Sequence, residues 1–99
     1  MGTQNRNEKE GPRFSGGDGS SPESAVVIDN VSSHAAGVRA EKEYISRLFG
    51  EEGVNWRLSE QALLEQDGGP RLDRMTIETA SGDTETLHFD VSNFFGMDF

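Results

Sequence analysis

Glu41 is a carboxylate in apolar company. At 100° per residue, a helix through this stretch puts Gly37, Val38, Tyr44, Ile45, Leu48 and Phe49 on one face. Glu41 falls in the middle of that face, between Leu48 and Ile45, and His34 lies on the same stripe two turns earlier. Desolvation raises the pKa of a carboxyl held there, which suits it to acid–base work or to gripping a ligand. The plainer readings are an exposed helix end, or a glutamate reaching a neighbouring backbone group or arginine. Glu60 interrupts a strand in the same way, at an inward position between Leu58 and Ala62. If the helix crosses the sheet there, the two carboxylates converge as a pair for proton transfer or for a cation. Otherwise Glu60 pairs with an arginine such as Arg74, or the strand is bulged. Trp56, the single tryptophan, also takes an inward strand position, as core or as a wall on which a ligand stacks. Glu41, His34, Trp56 and Glu60 are the candidate lining of a helix–sheet cleft.

Other combinations carry less. His88 and Asp90 share a strand face and supply two metal ligands, but no third stands at a suitable spacing, so no metal site is expected and the two read as solvated outer-face side chains. Ser32-Ser33-His34 is no triad, since adjacent residues rarely point at one centre, and capping a helix accounts for the serines. Gly16-Gly17-Asp18-Gly19 has the composition of a phosphate loop without a strand before it or a helix after it, and reads as linker. Asn30-Val31-Ser32 matches the glycosylation pattern, with no secretory segment to give it meaning. Cysteine is absent, which removes disulfides, thiolate catalysis and thiolate-held metals together. No catalytic residue and no cofactor is assigned.

The elements that must position these residues follow from periodicity. Ala25–Ile28 is a short β-branched strand stopped by Asp29-Asn30. Ser32 or Ser33 caps a helix that runs to about Phe49, with Gly50 at its end and Arg47 in the last turn. After Gly53 the period changes to two, as Val54, Trp56, Leu58, Ala62 and Leu64 alternate with polar residues until Leu63 breaks the pattern. Asp67–Pro70 is a turn, Met75 and Ile77 mark the next strand, and Ala80-Ser81-Gly82 is a three-residue hairpin loop. Leu87, Phe89 and Val91 mark the last strand. A four-residue loop at 67–70 pairs Ala62 with Met75 and Glu60 with Ile77, and the hairpin pairs Met75 with Leu87. The expected class is α+β, a single helix packed on a small antiparallel sheet in the order β-α-β-β-β. That element order is similar to that of cystatin-like folds; the Gln-x-Val-x-Gly inhibitory loop of that family is absent, so its activity is not implied.

Of the 99 residues, 32% are apolar, and only Met1 and Phe14 of these fall in residues 1–23. Such a segment buries too little to offset its chain entropy and reads as a disordered polar tail. Residues 24–99 then form one small domain, with the aromatic segment 92–99 packed across the end of the sheet or left as a docking motif. The charge is −9, and the tail holds four of the 18 acids and three of the nine bases, which leaves −8 on the domain. That balance argues against nucleic acid and anionic membrane as partners, and no apolar run is long enough for a membrane span. Without a secretory segment, the expected location is cytoplasmic. The expected function is that of a small acidic module that binds another protein or itself as a homodimer. The alternative is a small-ligand binder or enzyme using the cleft, although no nucleophile–base pair is visible.

Overall fold

The computed structural model describes residues 11–65 and 67–95. Five strands form one sheet: β1 (Arg13–Gly16), β2 (Val26–Asp29), β3 (Trp56–Glu65), β4 (Arg71–Thr79) and β5 (Thr84–Asp90). One helix, α1 (His34–Phe49), follows β2. The class is α+β with a single helix on a mostly antiparallel sheet, in the order β1-β2-β5-β4-β3. The sheet is mixed rather than wholly antiparallel, because β2 runs parallel to β5 through Val26↔Phe89 and Val27↔Asp90. Parallel neighbours need a long crossover, and α1 with the β3–β4 hairpin supplies it.

α1 starts where Ser33 accepts a hydrogen bond from Ala36 N–H at 3.0 Å, and ends at Gly50, whose N–H bonds to the Ser46 carbonyl at 2.9 Å. Its buried stripe is Gly37, Ala40, Glu41 and Ile45, with Tyr44 set edge-on against Phe89 at 5.7 Å. Leu48, one turn further on the expected core face, is 56% exposed, so the sheet's cover stops before the helix does. Gly37 permits a close approach: a Cβ there would lie 2.3 Å from the ring of Phe94. Val26, Ile28, Met75, Ile77, Leu87 and Phe89 complete the core beneath the helix.

The β4–β5 hairpin has the expected register. Met75 pairs with Leu87, and Gly82, at φ 93°, closes the loop with its N–H on the Thr79 carbonyl. The β3–β4 hairpin does not. Ala62 pairs with Arg74 rather than Met75, Leu58 rather than Glu60 pairs with Ile77, and a bulge lies between Leu58 and Glu60. Directly opposed residues share a face, so one extra residue changes the parity of everything beyond it. Trp56 and Leu58 face the helix; past the bulge Gln61 and Leu63 do, and Glu60, Ala62 and Leu64 turn to the other side.

The expected boundary at residue 24 is also corrected. β1 pairs antiparallel with β2 from Arg13↔Asp29 to Gly16↔Val26, and the Phe14 ring packs 5.1 Å from that of Tyr44. The segment after it is tied back by Gly17 N–H to Ala25 O and Gly19 N–H to Ser24 O. An edge strand of this kind is held by main-chain hydrogen bonds and one aromatic, so its composition resembles that of a tail. The remainder of the expected tail, residues 1–10, lies outside the described residues. His88 is correspondingly buried rather than solvated, with both its N–H (2.8 Å) and its Nδ1 (3.0 Å) on the Gly19 carbonyl.

Candidate functional site

A cleft of about 300 Å3 opens between the first half of α1 and the sheet. α1 contributes His34, Val38 and Glu41, which fall on one stripe at steps of four and three residues. The bulge in β3 turns Gln61 and Leu63 into it, and β4 adds Asp73, directly opposite Leu63. The chain after β5 closes one end with Val91, Phe94 and Phe95. Those aromatics are placed by a turn in which Phe94 and Phe95 N–H both bond to the Val91 carbonyl, while Asn93 Nδ2 donates to the Ile28 carbonyl at 3.1 Å.

The polar groups at the floor are deeply buried. Glu41 is 1% exposed and Asp73 7%. Gln61 Nε2 donates to Asp73 Oδ2 at 2.7 Å. Burial, then the hydrogen bond to Asp73 and the Coulombic effect of that carboxylate, push the Glu41 pKa up to about 10. At neutral pH Glu41 is therefore a carboxylic acid, with its hydroxyl hydrogen-bonded to the Asp73 carboxylate. Among the described residues, neither forms an ion pair with a lysine or arginine. Among the described residues, two buried side-chain atoms have no hydrogen-bond partner, Glu41 Oε2 and His34 Nδ1. The His34 ring stands edge-on to Phe94 at 5.8 Å and to Phe95 at 5.7 Å. The Arg71 guanidinium covers Phe95 at 5.0 Å and pairs with Glu65 at 3.0 Å.

Of the four residues expected to line a cleft, the structure brings Glu41 and His34 together and leaves the other two elsewhere. Trp56 is core: it is 2% exposed and its indole Nε1 donates to the Gly50 carbonyl at 2.8 Å. Glu60 lies past the bulge, exposed on the opposite face, so it does not meet Glu41. Asp73 takes its place. That residue carried a readable signal, since it shares strand parity with Met75 and Ile77 and so is a carboxylate on an apolar face. Gln61 carried none, because only the bulge turns it inward.

The chemistry available is that of a neutral acid beside a carboxylate, an amide and an imidazole, all against an apolar wall. Among the described residues no three His, Cys, Asp or Glu side chains group as a metal site. A larger depression of about 520 Å3, bordered by Gly11, Pro12, Asn30 and Arg39, contains none of the buried unpartnered atoms. The chain matches no protein family, no curated protein and no solved structure.

Proposed function

We propose that this protein is a small-molecule-binding domain whose ligand occupies the cleft between α1 and the sheet. One observation carries the reading: Glu41 Oε2 and His34 Nδ1 are both buried without partners and both belong to residues lining the same cleft. A buried polar atom left unsatisfied costs roughly 1–3 kcal/mol, and a ligand that hydrogen-bonds to it recovers much of that cost. Val38, Leu63, Val91 and Phe95 offer the ligand an apolar wall facing the convergent polar groups of His34, Glu41, Gln61 and Asp73. At the ~30 Å3 that a water molecule occupies in the liquid, the space suits about ten non-hydrogen atoms. The test is an NMR titration of labelled protein with a fragment set of cationic, neutral and anionic head groups. Bound fragments are expected to shift Val38, Leu63 and Phe95 together. A set in which no fragment perturbs these residues overturns the reading.

Self-association is a second reading, supported by the free edge of β3. Among the described residues, this ten-residue strand ends the sheet with the outer side of its ladder unpaired beyond Trp56, an arrangement that can add a strand from another chain. The bulge and the charges of Arg57, Glu60 and Glu65 work against such pairing. Sedimentation equilibrium decides: a concentration-dependent dimer that is lost on Gln61→Pro supports it, and a monomer at all concentrations excludes it.

A further inference from the structure

We infer that the cleft selects a small organic cation with paired N–H donors, an amidinium or ammonium on an apolar body, which sets its donors between Glu41 and Asp73 and displaces the proton these two share. The inference rests on the cleft being the ligand site and adds the chemistry of the head group.

The unsatisfied capacity of the floor is for a donor. With its O–H directed at Asp73, Glu41 has an open acceptor in its second oxygen, and Oε2 is buried with nothing donating to it. Asp73 already accepts from Gln61 Nε2. The pair holds one negative charge in a low-dielectric site, where an opposite charge is worth several times its value in water. An anionic head would meet that charge and two acceptor carboxyls. A neutral head would satisfy Oε2 and leave the charge. A planar cationic head with two N–H groups donates to both carboxyls. Its charge keeps the site at one net negative charge when the shared proton leaves, whereas a neutral head would then leave two uncompensated carboxylates. The field of the whole molecule, at −9, draws cations in the same direction.

The groups facing the pair are few. α1 presents His34; β3 presents the uncharged Gln61 and Leu63; β4 presents only Asp73 itself; and the chain after β5 presents the rings of Phe94 and Phe95. Arg71, a cation at the edge of the cleft, lies over Phe95 and is paired with Glu65. When a two-donor cation enters, both carboxyls act as acceptors. The O–H bond of Glu41 breaks, its electron pair stays on the carboxylate, and the proton passes to solvent. Binding is then linked to pH: affinity rises as pH rises, by up to tenfold per unit while Glu41 is protonated in the free protein.

The experiment is a calorimetric titration of the full chain with benzamidine, benzamide and benzoate, which share shape and size and carry charges of plus one, zero and minus one. Benzamidine is expected to bind at least tenfold more tightly than benzamide, with benzoate unbound. Its affinity should rise between about pH 6 and about pH 8, with proton release visible as a heat that depends on the buffer. In Glu41→Gln and Asp73→Asn, which keep shape, the affinity should fall at least tenfold, and in Glu41→Gln the slope with pH should vanish. Spectral dispersion checks that both variants fold. If benzamide binds as tightly as benzamidine at the cleft, the ligand site stands and the cation inference falls. A slope retained in Glu41→Gln would place the titrating group elsewhere and overturn the role given to Glu41. Failure of all three compounds to perturb the cleft overturns the cation inference, while a hit from the wider fragment set would still support the site.

Discussion

Glu41 concentrates the physical tension of the molecule. Its carboxyl pKa is about 10 in the fold against 4.5 as an ordinary value. A carboxyl with a raised pKa binds more protons in the native than in the unfolded chain between those two values. Stability attached to it is therefore fully present below about pH 4.5 and is lost as pH climbs towards 10, with a slope of up to ~1.4 kcal/mol per unit. Glu41→Gln removes the titration and keeps a donor for Asp73. The variant is expected to be more stable than the parent at pH 8, on the order of 1–3 kcal/mol, with the advantage shrinking as pH falls towards 5. Urea denaturation at the two pH values checks this, and an equal difference at both would contradict the assignment of the proton to Glu41.

At the scale of elements, the two ends of the described chain complete the domain. β1 covers the edge of β2 and places Phe14 on Tyr44, with the Arg47 guanidinium 5.1 Å over the Phe14 ring. Deleting residues 1–16 is expected to lower stability by about 1–3 kcal/mol, the scale of one half-buried phenylalanine with its strand hydrogen bonds, read from the denaturation midpoint. An unchanged midpoint would mean that β1 contributes nothing. The turn after β5 has the larger effect. Phe94 is 2% exposed, lies on Gly37, and forms one end of the cleft, so a chain ending at Asn93 loses core and site together. The expected cost is ~3–5 kcal/mol, that of removing a buried phenylalanine. Phe95 is half-buried beneath Arg71, and Phe99 lies outside the described residues.

For the whole molecule, net charge governs long-range behaviour. Eighteen acids against nine bases give a repulsive field for phosphate backbones. No salt-sensitive anisotropy change is expected with labelled duplex DNA or single-stranded RNA at micromolar concentration and physiological salt, and such a change would reveal a basic patch that overrides the net charge. Among the described residues, no helix is long and apolar enough to cross a membrane.

Local periodicity alone carried the single helix with a serine cap and its Gly50 end, the three long strands, the Ala80–Gly82 hairpin, and the place of Glu41 on the apolar helix face. Each is written in nearest neighbours or in a repeat of 3.6 or 2, so the residues concerned lie close together in the chain. The rest was decided by contacts between distant segments. β1 reads as linker because its stability lies in main-chain bonds to Asp29–Val26 and in one ring, and neither leaves a compositional mark. The parallel pairing of β2 with β5 joins residues more than 60 positions apart, which no local pattern records. The bulge beside Ser59 had only a faint trace, the doubled Leu63-Leu64, and it determined the site: one extra residue sent Glu60 to the outer face and brought Gln61 and Leu63, both exposed, to the open side of the cleft. A period of two reports which residues share a face only until the first inserted residue, and only the partner strand shows where that residue is.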